Sequence, residues 1–368
     1  MKITCSTNKL SDAVLKVQRA VSSKSSIPAL EGINITTKEN SIELKGYDLE
    51  LGITTTIPAK IEEPGETVLN AKLFSEIARH LPQNETQINV LDKFLTEIKS
   101  GQAQFSIEGL NPEDYPEMPK FNESLYVEIE SNKLKKMIQQ TIFAISDDDT
   151  KPAHMGSLFD IGEGKISIVS VDGYRFALST EDISTTENNK FIVPGKTLSE
   201  LLKILPDEDK AVKISVGERH IIFNINEYSI ISRLLQGDFL DYKAALPQSS
   251  STTAKIKTND IIAAFERTSL IITDKLKSPV SCIFSENEIK FSCTTTIGNS
   301  TDQIDAEITG NKLEIGFNSK YVLDALRNAS TDEILLEMNG TLSPMKITPI
   351  NSESFIFLIL PVRLRAGE

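Results

Sequence analysis

Residues 170–179 read SVDGYRFALS, so a carboxylate, a turn glycine, a phenol and a guanidinium follow one another at Asp172, Gly173, Tyr174 and Arg175. Such a group could belong to an active site, or it could be the tip of a hairpin. A catalytic Asp172–Arg175 pair would need a nucleophile, a base or a metal set nearby. The sequence has no GxSxG, no phosphate loop, no HExxH and no recurring pair of carboxylates. Its three histidines, His80, His154 and His220, are far apart and show no metal-ligand spacing. The acidic runs Asp147-Asp148-Asp149 and Glu113-Asp114 read as solvated loops, and a metal-dependent enzyme is a poor fit. No cofactor is expected.

With 368 residues, 39% hydrophobic and 25% charged, the chain reads as a globular protein of two or three domains. The start, MKITCSTNKL, lacks the apolar run of a signal peptide, and no stretch approaches the 18 apolar residues of a spanning helix. Cys5, Cys282 and Cys293 are odd in number and without CxxC spacing, which fits reduced thiols in the cytoplasm. A net charge of -13 argues against nucleic acid when taken alone. Net charge says nothing, however, about where the charges sit.

The chain repeats itself. Three segments, from Met1, Tyr126 and Thr253, each begin with a short alternating strand and continue into a run of helical spacing. In the first, Leu10, Val14, Leu15, Val17 and Val21 form an apolar stripe, with Thr7 or Asn8 as the expected N-cap. A second helix recurs as NAKLFSEIARHLP, PGKTLSELLKILP and FNSKYVLDALRNA. Lys72, Lys196 and Lys320 are 124 residues apart, as are Glu76, Glu200 and Asp324, and Arg79, Lys203 and Arg327. Asp48 and Asp172 keep the same spacing, with Thr296 third. Between the helices run period-two alternations, giving about eight strands and two helices per third, an α+β class with three tandem domains of like fold. Polar linkers at 121–125 and 247–253 divide the chain into 1–122, 123–248 and 249–368.

Positive charge concentrates on the helices. Lys72, Glu76 and Arg79 lie at i, i+4 and i+7, so they share a face, and the other two copies repeat this. The six expected helices carry +7 together, against -13 for the chain, which leaves -20 on the remainder. One such helix would be an ordinary solvated face. Three in register, within an acidic chain, fit a surface that meets DNA phosphates without reading bases.

At this point the whole chain resembles the bacterial sliding clamp family, the β subunits of the replicative DNA polymerase III. The resemblance rests on the three repeats and the opening MKI. It rests also on IPALEGI (27–33), GYDLEL (46–51), VDGYRFA (171–177), GDFLDYKAALP (237–247), TLSPMKI (341–347) and ILPVRL (359–364). It implies two subunits joined head to tail in a ring, helices lining the hole, antiparallel sheets outside, and duplex DNA passing through without sequence specificity. It implies DNA contact by Lys24, Lys72, Lys196 and Lys203, to which the helix argument adds Arg79, Lys133, Lys136, Lys320 and Arg327. Phe105 would meet Leu270 and Ile271 of the other copy. Expected partners are double-stranded DNA, a second copy, and the replicative polymerase, the clamp loader and repair polymerases through short peptides. No membrane is involved.

In such a family the turn at 171–176 walls a hydrophobic peptide pocket. Its lining here would be His154, Val171, Gly173, Tyr174, Arg175, Phe176, Leu240, Ala245, Ser343, Pro344, Met345, Leu358, Leu360 and Val362. Departures include Tyr174 for the common His, Phe176 for Leu, Leu240 for Pro, and a four-residue extension from Arg365 to Glu368 that would lie at the pocket mouth. Asp172, echoed at Asp48, reads as a structural turn residue, and Arg175 as well placed to hydrogen-bond carbonyls or to brace the turn. Two alternatives stand beside the clamp: a repeat scaffold that gathers partners without encircling DNA, and an enzyme.

Overall fold

The computed structural model describes residues 1–185, 187–273 and 278–364. The first third holds β1 (Lys2–Ser6), α1 (Thr7–Val17), β2 (Gly32–Thr37), β3 (Ser41–Tyr47), β4 (Leu51–Glu63), β5 (Glu66–Asn70), α2 (Ala71–Arg79), β6 (Glu85–Val90), β7 (Leu95–Ser100) and β8 (Ala103–Leu110). The second holds β9 (Leu125–Glu130), α3 (Ser131–Ile142), β10 (Gly156–Gly162), β11 (Lys165–Val171), β12 (Arg175–Asp182), β13 (Asn189–Pro194), α4 (Gly195–Ile204), β14 (Ala211–Val216), β15 (His220–Ile225) and β16 (Tyr228–Arg233). After the short α5 (Tyr242–Ala245), the third holds β17 (Thr252–Lys257), α6 (Thr258–Thr268), β18 (Val280–Ser285), β19 (Glu288–Thr295), β20 (Gly298–Asp305), β21 (Glu307–Gly310), β22 (Leu313–Phe317), α7 (Ser319–Arg327), β23 (Glu333–Met338), β24 (Met345–Pro349) and β25 (Phe355–Ile359).

The chain divides into two compact units that do not follow the sequence thirds: Met1–Asn132 with Ser199–Leu234, and Lys133–Leu198 with Leu235–Glu368. The first unit holds a twelve-stranded antiparallel sheet, in which β4 of the first repeat pairs with β16 of the second. In the second unit, β12 of the second repeat pairs in the same manner with β25 of the third, inside a nine-stranded sheet. A four-stranded sheet, β20-β19-β18-β22, completes that unit. The fourth strand of one repeat thus joins the last strand of the next. By this rule β20 and β8 remain: among the described residues β20 pairs only with β19, and β8 pairs with β7 and, at its far end, with β5.

Helix α1 begins at Thr7, so its N-cap is Ser6 rather than Thr7 or Asn8. The Thr7 hydroxyl is instead turned inward, 2.7 Å from that of Thr86. Leu10, Ala13, Val14 and Val17 bury the α1 stripe, whereas Leu15 stays half-exposed. Amphipathic spacing buries one helix face against a sheet: α1 packs on β3 and β4, and α6 on β19 and β20. In the third repeat, Phe265, Phe284, Phe291, Phe317, Phe355 and Phe357 belong to one buried core. Among the described residues no helix is long and apolar enough to cross a membrane.

Candidate functional site

The turn after β11 is held by its own acid. Asp172 Oδ1 accepts hydrogen bonds from the backbone N–H groups of Tyr174 (2.9 Å) and Arg175 (3.0 Å). Its Oδ2 accepts from Arg175 Nε at 2.8 Å. Both carboxylate oxygens are thus engaged in holding the turn, as expected of an Asx turn. Gly173 adopts φ +90°, and no atom stands within 4 Å of the position a Cβ would take. Here glycine answers to backbone strain and not to crowding. In the third repeat the corresponding loop is two residues shorter, because Thr295 already pairs with Gly298, so Thr296 does not repeat the turn.

One apolar face gathers much of the expected pocket. Phe176 on β12 stands opposite Val171 on β11 and Leu358 on β25, so the three side chains share a face. They belong to one buried cluster with Leu178, Ile356 and Tyr242, whose ring stacks 6.5 Å from that of Phe176. His154 meets the edge of Phe239 at 5.4 Å, and burial, aided by the charge of Lys151, lowers its pKa below the ordinary value. Ala245, Ser343 and Pro344 line a neighbouring cleft of about 310 Å³ with Lys346, the register partner of Leu358. Tyr174, Leu240, Leu360 and Val362 are exposed. The Leu360 N–H donates to the Tyr174 carbonyl at 2.9 Å, and the Val362 N–H to that of Gly316 at 2.8 Å.

Two expected lining residues point elsewhere. Met345 stands opposite Ile359, and strand alternation turns it into the other core beside Phe355 and Phe357. Arg175 also faces away from Phe176. Its Nη1 donates to Asp324 on α7 at 2.6 Å, and its guanidinium lies between the rings of Tyr321 (4.6 Å) and Phe143 (5.6 Å). Tyr174 stacks on Tyr321 with ring centroids 5.8 Å apart. Tyr321, Asp324, Phe239 and Tyr242 are therefore neighbours that the residue pattern alone did not place beside this turn. Phe239 and Tyr242 lie within GDFLDYKAALP, where their apolar spacing is a usable signal. Arg365–Glu368 lie outside the described residues.

The first repeat closes the corresponding place. Gly52 stands where the second repeat has Phe176, and a Cβ there would meet Met118 and Ile231 at 2.8 and 2.9 Å. Tyr47, in the position of Val171, packs with Tyr115 in a small core that Met118 covers.

Three of the candidate cations are held by carboxylates. Arg79 is held by Glu76 (2.9 Å), Lys203 by Glu200 (2.7 Å), and Arg327 by Glu266 of α6 (2.7 Å). Glu200 is shared with Arg19 at 3.2 Å. Among the described residues, Lys24, Lys72, Lys136 and Lys320 form no ion pair. Lys24, Lys72, Lys196 and Lys320 are exposed, whereas Lys133 and Lys136 are half-buried on α3. Lys72 also lines a cleft of about 360 Å³ with Ser22, Ser23 and Asn70. Of the residues expected at a contact between copies, Leu270 is 80% exposed on a 3-10 turn, Ile271 packs partly on the core, and Phe105 is half-buried on β8.

Family models described as the N-terminal, central and C-terminal domains of the DNA polymerase III beta subunit match residues 1–119, 128–241 and 243–363. The chain belongs to the DNA polymerase III beta subunit family. The Beta sliding clamp of Bacillus subtilis is 34% identical over 376 residues, which span 99% of this chain and 100% of that one. The crystal structure of the Bacillus subtilis polymerase sliding clamp superposes with a TM-score of 0.96 at 33% identity, over 99% of this chain and 100% of that one. A DNA polymerase III beta subunit structure from Eubacterium rectale gives 0.94 at 34% identity, over 98% and 99%. The fold is that of the clamp, with three tandem domains. Members of this family are non-catalytic processivity factors of DNA replication, and so is this chain. The Asp172–Arg175 pair is correspondingly a built turn.

Proposed function

We propose that two copies close head to tail into a ring that encircles duplex DNA and slides along it. The supporting observation is the pair of unmatched strands. Fourth-to-last strand pairing joins the first repeat to the second and the second to the third, and it leaves β20 and most of β8 with open edges. An antiparallel union of β8 in one copy with β20 in another satisfies both edges and repeats the same rule. Phe105 on β8 and the exposed Leu270 beside β20 are the apolar contacts of that union, with Ile271 behind.

The three domains in this reading are 1–122, 123–248 and 249–368. DNA is met loosely through phosphates by Lys24, Lys72, Arg79, Lys133, Lys136, Lys196, Lys203, Lys320 and Arg327. The face of Val171, Phe176 and Leu358, rimmed by Tyr174, Leu240 and Leu360, takes short peptides of the replicative polymerase, the clamp loader and repair polymerases. The cytoplasm is the proposed site of action.

Topology tests the ring. After loading onto a nicked circular plasmid, the protein is expected to stay bound through gel filtration and to be lost once the plasmid is linearised. Retention indifferent to linearisation would mean ordinary binding and would end this reading.

A further inference from the structure

In the first two repeats the acid at the shared helix position pairs within its own helix, Glu76 with Arg79 and Glu200 with Lys203, although Glu200 also takes Arg19. Asp324 holds that position on α7 but does not pair with Arg327, which turns to Glu266 instead. Asp324 Oδ2 accepts from Arg175 at 2.6 Å, while Asp172 accepts from the same guanidinium at 2.8 Å. The side chains of Arg175, Asp172 and Asp324 are only 11%, 12% and 28% exposed, so water screens these contacts weakly.

We propose that Asp324 is a positioning residue of the docking groove, acting through Arg175. The inference rests on reading that groove as a peptide site. Arg175 lies between Tyr174 and Phe176 in the chain, and alternation sends its side chain toward α7 while Phe176 faces the groove. Anchoring the guanidinium at two carboxylates fixes the backbone that presents both neighbours. Tyr321, one turn before Asp324 on α7, supports Tyr174 by stacking, so the helix holds the turn at two points. A groove wall fixed before the peptide arrives need not be ordered by it, which strengthens binding. Without Asp324 the guanidinium keeps Asp172 and the ring of Tyr321 but loses its charged tie to the helix.

The test is fluorescence anisotropy with a labelled clamp-motif peptide on the full chain, comparing wild type, Asp324→Asn, Arg175→Ala and the double variant. Asp324→Asn is expected to weaken binding about tenfold, chiefly through faster dissociation. Added to Arg175→Ala it is expected to change nothing further, an outcome that a general structural role would not produce. Asp324→Glu should recover part of the loss. Asp324→Ser serves as a second variant if the asparagine form folds poorly, as judged by its thermal midpoint. Equal binding by wild type and Asp324→Asn overturns the proposal, as does an undiminished loss on the Arg175→Ala background. Absence of peptide binding by the wild type overturns the docking reading itself.

Discussion

Asp48 and Asp172, 124 residues apart, perform the same act. Asp48 Oδ1 accepts from the N–H groups of Glu50 (3.0 Å) and Leu51 (2.7 Å), as Asp172 Oδ1 does from Tyr174 and Arg175. In both turns the acid's own N–H reaches the carbonyl three residues on. The middle residue is left-handed in each: Leu49 at φ +77° and Gly173 at φ +90°. Only the second turn goes on to present an arginine and an aromatic pair.

The shared left-handed residue makes a paired stability prediction. Gly173→Ala should destabilise the protein by about 1 kcal/mol, from backbone strain alone. Leu49→Gly relieves the same strain at an exposed position and should be neutral or stabilising by up to about 1 kcal/mol. Urea unfolding midpoints of the two variants should move in opposite directions, or the Leu49 variant should not move at all.

Cations held by neighbouring carboxylates are less free to meet phosphate. Lys24→Ala, Lys72→Ala and Lys320→Ala should each flatten the slope of log affinity for duplex DNA against log salt, by about 0.9 for each phosphate left without its cation. Arg79→Ala should flatten it less, because Glu76 already engages that guanidinium. Glu76→Gln should steepen it. Titrations at a series of salt concentrations read all five variants on one scale.

Histidine burial sets an acid limit. His154 and His220 both have pKa values lowered first by burial, with nearby cations, Lys151 for one and Arg233 and Arg219 for the other, adding to it. Each folded-state pKa lies below the unfolded value near 6.5, so the unfolded chain takes up protons first as pH falls. Stability is therefore fully present above about pH 6.5 and declines below it. Thermal midpoints between pH 7 and 5 should show this decline, and His154→Leu should make it shallower.

Ring closure should fail at the apolar contacts. Phe105→Asp or Leu270→Asp places a charge where two copies would meet, and each should convert a species of twice the chain mass into one of chain mass. Sedimentation or light scattering measures this directly. Buried Cys282 and Cys5 should remain unlabelled by thiol reagents in all these variants while they stay folded, burial having pushed the Cys5 thiol up to about 12.

Much of the molecule is readable in its residues, and the limits are physical. Periodicity of 3.6 and 2 places six helices and most strands, because each element has one face to bury. The Asp turn is legible because an Asx turn needs only four adjacent residues. Arg175's partner is not: Asp324 lies 149 residues away, and its helix spacing suggests an exposed pair with Arg327. The face of Met345 depends on strand register, which no local pattern fixes. Strand pairing across repeat boundaries is equally silent, since β4 and β12 look alike whether their free edges meet a neighbour or solvent. It also explains why two compact units, and not three, emerge from a threefold sequence.

The side chains of Met118 and Tyr47 carry a last consequence. On the docking reading proposed above, by filling the first repeat where Gly52 leaves room, they would close that repeat to visitors and leave the groove of the second. On that reading, enzymes competing for the same chain would have to queue. Succession among them would be governed by how long each lingers and by how many wait nearby, so their order of work would become a matter of kinetics and supply.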